Sequence, residues 1–193
     1  MTKGSRARAL ALAAAIVVIA AVGGAGWWLM RATVAPPPPS VAQSALPEGF
    51  KALDPPLQMG DLAFADADGK TVRISDFHGR PVILNVWAKW CAPCVVELPM
   101  LNQLQAKGGT LAVLAVAVDE PDPTKVRGFL INRGLTALTP YLDAKNVFAK
   151  VLQIRSIPVS VLIDKNGYAL VRVDAPVDWF GTAAVALLQQ TIL

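Results

Sequence analysis

The sequence predicts an α/β layer fold for the body of the chain, and three observations carry that expectation. Beyond Leu57, short β-rich apolar runs alternate with longer helical stretches. Two of the runs, around Val82–Val86 and Leu111–Val118, are apolar throughout, as strands covered on both faces are. Glycine-containing turn signals separate the elements. With 193 residues, 54% of them hydrophobic, the chain can bury the core of one domain of ordinary size.

In order, Leu62–Phe64 and Thr71–Ile74 flank Asp68-Gly69 and predict a hairpin. Pro81–Trp87 predicts a buried strand, followed by a helix that begins around the cysteines and stops at Gly108-Gly109. Leu111–Val118 is a second buried strand, Thr124–Asn132 a helix ending before Gly134, and Asp143–Leu152 a third helix. Val159–Asp164 and Tyr168–Val173 straddle Lys165-Asn166-Gly167, a second hairpin turn, and Trp179–Gln190 reads as a closing amphipathic helix.

The start of the chain has a different composition. Ala9 to Met30 is a run of 22 uncharged residues, roughly 33 Å long as a helix and enough to span a bilayer. A cleaved signal peptide is the alternative, but its apolar region usually runs only about 7 to 15 residues. Trp27 and Trp28 suit a membrane interface, and Lys3, Arg6 and Arg8 outweigh Arg31, which predicts a cytoplasmic N-terminus and an exported body. We therefore expect residues 1–31 to form a cytoplasmic tip and transmembrane anchor, 32–56 a Pro-rich linker that includes four consecutive prolines at 36–39, and 57–193 the folded domain. The expected location is the inner membrane, single-pass, with the C-terminal domain in the periplasm. The formal charge of +4 is concentrated in the first 31 residues, which leaves 14 basic and 14 acidic side chains in the neutral remainder. That distribution excludes a basic stripe for nucleic acid.

Cys91 and Cys94 are the two cysteines, in Trp90-Cys91-Ala92-Pro93-Cys94, where a buried strand passes into a helix. At a helix N-terminus, unpaired amides and the positive dipole end stabilise a thiolate, so Cys91 is expected to be exposed and to act as the nucleophile. Cys94, one turn further in, can resolve a mixed disulfide on Cys91. Pro93 fits the first turn, where a missing N–H costs little. A structural disulfide here would close too short a loop to stabilise much. A zinc site needs about four ligands, against two thiols and the single His78. His78, in a turn before the Pro81 strand, receives no role. Redox chemistry is what remains, and an exported CxxC pair stays reduced only if a partner reduces it.

Asn85-Val86-Trp87-Ala88-Lys89-Trp90-Cys91-Ala92-Pro93-Cys94, followed by Glu97-Leu98-Pro99, resembles the membrane-anchored TlpA/ResA/CcmG-like thiol:disulfide oxidoreductases of the thioredoxin superfamily. Val118-Asp119-Glu120, Phe129–Gly134 and Ser156-Ile157-Pro158-Val159-Ser160 through Gly167 fall in that family's order, so the likeness covers roughly residues 57–193. It implies a thioredoxin-like fold with an N-terminal β-hairpin and an inserted helix-strand unit, here 120–142. It also implies a cis Pro158, with Ile157 turned toward the thiols to receive an extended substrate as an added strand. This chain departs from the commoner Gly-x-Pro-Thr, having Ser156 and Val159 around Ile157-Pro158.

Glu97, three residues after Cys94, matches the family's acidic residue. Among Val95, Val96, Leu98 and Pro99 it is expected to be partly buried, with desolvation raising its proton affinity so that it exchanges a proton with Cys94. Asn85 stands where thioredoxin proper has a buried aspartate, and an amide cannot move protons. Trp90, Ala92, Pro93, Ile157 and Pro158 are the expected substrate-binding residues, Trp90 also shielding the disulfide. No histidine separates the cysteines, which favours a reductase over a strongly oxidising relative. The resemblance implies clients with cysteine pairs, either apocytochrome c or a copper-delivery protein, and a membrane thiol reductant of the DsbD/CcdA kind. No cofactor beyond the Cys91–Cys94 disulfide is expected. The alternatives are a disulfide oxidase or isomerase, a copper-binding assembly factor, and a tethered module in which the thiols are incidental.

Overall fold

The computed structural model describes residues 40–191. The expected anchor at 9–30, its flanking charges and the four prolines lie outside the described residues. Among the described residues, no helix is long and apolar enough to cross a membrane.

Eight strands form one mixed sheet: β1 (Phe50–Gln58), β2 (Ala63–Ala65), β3 (Thr71–Arg73), β4 (Val82–Trp87), β5 (Ala112–Ala117), β6 (Tyr141–Leu142), β7 (Val159–Ile163) and β8 (Tyr168–Val173), ordered β1-β8-β7-β4-β5-β6-β2-β3. The helices are α1 (Ala92–Ala106), α2 (Pro123–Ile131), α3 (Val147–Val151) and α4 (Thr182–Thr191). β4 runs parallel to β5 and antiparallel to β7. Both central strands, β4 and β5, are buried along their whole length, as their unbroken apolar runs require.

Alternation along β4 divides the core. Val82, Leu84 and Val86 face a cluster with Phe64, Leu114, Phe148 and Val161. Ile83 and Trp87 face the other cluster, which holds both cysteines, Leu98 and Leu101 of α1, Leu130 of α2 and Leu187 of α4. Asn85 lies between Ile83 and Trp87 in that alternation and pairs with Ser160 across β4 and β7.

Three expectations need correction. Residues 50–56, assigned above to the linker, are part of β1, which pairs with β8. Pro55 and Pro56 are tolerated because β1 is the sheet's edge, where one side needs no donors, and the register slips between Ala52 and Leu57. The folded part reaches further back still: Gln43 bonds the backbone of Phe50 and Ala52, and Val41 and Leu46 pack on the core. The helix expected over 143–152 contracts to α3, because Asn146 turns left-handed at φ 54° while Asp143 Oδ1 and Oδ2 accept the N–H groups of Val147 and Phe148. The closing helix starts at Thr182 rather than Trp179, since residues 178–181 form a turn in which Asp178 O accepts the Gly181 N–H.

Candidate active site

Central strand β4 ends at Trp87, and Cys91 then serves as the N-cap of α1. Its backbone is extended, with φ −83° and ψ 97°, and its Sγ accepts the Cys94 N–H at 3.3 Å, the position a capping hydroxyl or carboxylate usually holds. Pro93 occupies the first turn, where an amide hydrogen would have no intrahelical acceptor. Cys91 and Cys94 form a disulfide with Cα atoms 5.3 Å apart.

The loop before β7 closes over the pair. The Ile157–Pro158 peptide is cis, and the Ile157 carbonyl oxygen lies 3.6 Å from Cys91 Sγ. Cys91 is only 4% exposed, so the expectation of an open sulfur is corrected: in the disulfide it faces Cys94 and the Ile157 carbonyl. What faces solvent is its rim, namely Ala92, Pro93 and Trp90, the last 72% exposed. Ile157 is half-buried and Pro158 buried. All of the expected substrate-binding residues thus lie on the motif turn or on the loop that reaches it.

Glu97 is more buried than its sequence neighbours imply, at 1% exposure. Its Oε1 accepts the indole N–H of Trp179 at 2.7 Å and the backbone N–H of Val177 at 3.3 Å, while Oε2 accepts Asn85 Nδ2 at 3.2 Å. The same Asn85 nitrogen donates to Ser160 Oγ at 3.0 Å. Burial pushes the carboxyl up to about 7, and the hydrogen bonds from Trp179, Val177 and Asn85 each act in the opposite direction. A carboxyl poised there exchanges protons readily at neutral pH.

The motif turn is also tied to the loop after β5. Asp119 Oδ2 accepts the Lys89 N–H at 3.0 Å, and Glu120 Oε2 accepts Lys89 Nζ at 2.6 Å. The Lys89 ammonium holds the Glu120 carboxyl below the usual carboxylate range.

Sequence reasoning did not find Trp179 or Val177, which reach Glu97 from the turn between β8 and α4, nor the donor role of Asn85. No periodicity links positions 97 and 179. The one local signal was the indole itself, because a buried Trp N–H usually finds an acceptor.

Residues 55–170 match the AhpC/TSA family. The chain is 35% identical over 111 residues to the thiol-disulfide oxidoreductase ResA of Geobacillus thermodenitrificans, an alignment covering 55% of this chain and 62% of that relative. This chain therefore spans less than two thirds of that relative's length. Against the protein of the same name from Bacillus anthracis, identity is 31% over 126 residues, covering 62% of this chain and 72% of the relative. Among solved structures, the exposed lipoprotein thioredoxin Etrx1 of Streptococcus pneumoniae superposes with a TM-score of 0.57 at 26% identity, over 67% of this chain and 96% of that one. The match over 55–170, together with a CxxC disulfide at the head of a helix and a cis proline opposite it, places the chain in the AhpC/TSA family, among the ResA-like thiol-disulfide oxidoreductases of thioredoxin fold.

Proposed function

We propose that this chain is a membrane-tethered thiol:disulfide oxidoreductase that mainly reduces disulfides of specific client proteins on the periplasmic side of the inner membrane. The observation that carries the reading is the position of Cys91 Sγ, which accepts the N–H of Cys94 at a helix N-terminus while a substrate-facing carbonyl lies beside it. In the reduced protein the same amide and helix end favour the thiolate.

The Cys91 thiolate attacks one sulfur of the client disulfide, and the other client sulfur leaves as a thiolate. Cys94 then gives its proton to Glu97 and attacks Cys91 Sγ, releasing the second client thiolate and closing the Cys91–Cys94 bond. The two electrons pass from enzyme to client, and the client thiolates take up two protons from solvent and from Glu97. An extended client segment docks against Ile157 and Pro158, with Trp90, Ala92 and Pro93 as the rim. A cytochrome c precursor or a copper-delivery protein is the proposed client class, and a membrane thiol reductant restores the dithiol. The uncharged run at 9–30, behind Lys3, Arg6 and Arg8, supports the tether.

Trapping tests this reading. Cys94→Ser in the native host should accumulate a client joined to Cys91 and released by reductant. If Cys94→Ser traps no more protein than the Cys91→Ser/Cys94→Ser double variant, the mechanism is wrong. A reduction potential well above that of thioredoxin would reverse the direction to client oxidation. Loss of the chain from washed membranes when residues 1–31 are removed checks the tether.

A further inference from the structure

We propose that Trp179 is a positioning residue of the redox reaction, its indole N–H holding the Glu97 carboxylate so that the proton of Cys94 has an acceptor at neutral pH. This rests on the roles of Cys94 and Glu97 proposed above and adds to them a group 82 positions from Glu97 along the chain.

Geometry carries the argument. The indole N–H makes the shortest of the three hydrogen bonds to Glu97, at 2.7 Å against 3.2 and 3.3 Å for the others. It falls on Oε1 together with the Val177 N–H, whereas Oε2 receives Asn85 alone. An oxygen that already accepts two donors is a poor site for a proton, which makes Oε2 the better acceptor for the proton from Cys94. The carboxylate is thereby oriented as well as stabilised.

The loop is built to deliver this contact. Trp179 is 1% exposed, Val177 is buried beside it, and the intervening Asp178 points to solvent and accepts the Phe180 N–H. The turn at 178–181 delays α4 to Thr182, which leaves Trp179 in the loop. The groups facing the carboxylate are uncharged: Asn85 from β4, Ser160 from β7 behind it, and Val177 and Trp179 from the loop. Cys94, one turn back on α1, is held in the disulfide and becomes a titratable thiol only on reduction. Among the described residues no cation pairs with Glu97, so hydrogen bonds are what favour its charged form inside the core, and removing the shortest one has the largest effect.

The test uses Trp179→Phe in the full chain, and in parallel 3-benzothienylalanine at position 179, which keeps the bicyclic shape and lacks only the N–H. Glu97 is titrated by carboxyl carbon NMR in the oxidised protein, its signal assigned with Glu97→Gln. The resolving step is followed with reduced protein and dithiobis(nitrobenzoate). Attack by Cys91 releases the first coloured thiolate, and displacement by Cys94 releases the second. Both variants should raise the Glu97 midpoint by about one to two pH units and move the pH profile of the second release in the same direction. In a Glu97→Gln background, the position 179 changes should then shift nothing further.

An unchanged Glu97 midpoint in both variants overturns the proposal. So does a shifted midpoint with an unshifted second release, and in that case Glu97 also loses its role as proton acceptor. If the wild-type protein shows no second release, the reading of Cys94 as resolving thiol fails and this inference falls with it.

Discussion

The two faces of β4 are equally buried yet built for different ends. On one face Val82, Leu84 and Val86 belong to an apolar cluster with Phe148 and Val161. On the other, between Ile83 and Trp87, Asn85 joins Glu97, Ser160 and Trp179 in a hydrogen-bonded network beside the cysteines. A purely apolar face contributes transfer free energy and nothing that titrates. The polar face gives up some of that stability for a carboxyl whose proton moves near neutrality. The difference shows that a buried acid in a well-packed core can have both oxygens hydrogen-bonded and still be expensive to ionise.

The sharpest contrast comes from one substitution in each of the two clusters. Cys91→Ser should abolish disulfide turnover and leave the fold intact, read by insulin reduction and circular dichroism. Leu84→Ala should preserve the chemistry and cost about 2–5 kcal/mol in denaturant unfolding, because it opens a void in a fully buried layer. If Leu84→Ala abolished turnover at unchanged stability, the division between the faces would be wrong.

A pH series sharpens the comparison further. Glu97 binds its proton more tightly in the folded protein, near 7, than in the unfolded chain, near the ordinary 4.5. The resulting stability is fully present below pH 4.5 and is lost as pH rises through 7, by about 3 kcal/mol in all. Glu97→Gln should remove that decline in the oxidised protein, so unfolding at pH 5 and pH 8 should differ less than in the wild type. The apolar face offers a control: Leu84→Ala should leave the pH dependence unchanged.

Two smaller effects follow at the edges of the faces. Asp143→Ala removes the cap that satisfies two α3 amides beneath the apolar cluster, and should cost about 1–2 kcal/mol by the same unfolding measurement. Lys89→Ala removes the ion pair with Glu120 at the rim of the site and should have the smallest effect on unfolding of the changes named here, weakening further in high salt.

Much of this was legible in the residues. The apolar runs of β4 and β5, the Gly167 turn and the helix begun by Ala92-Pro93 follow from local chemistry that acts within a few positions. β1 was not legible, because Pro55 and Pro56 read as linker until an edge position makes their missing N–H groups harmless. Glu97 was visible as a candidate acid through its spacing from Cys94. The depth of its burial was not, since elements distant in sequence cover it.

The sequence by itself determined the alternation of strands and helices, the helix N-terminus that receives Cys91, and the pairing of two cysteines one turn apart. Periodicity, capping and turn propensity are interactions between near neighbours. Only the tertiary structure decided that Trp179, Val177 and Asn85 converge on one carboxylate and that the Ile157 carbonyl lies against the sulfur. Those contacts are fixed by strand order and by where α4 begins, and no local rule carries information across 82 positions.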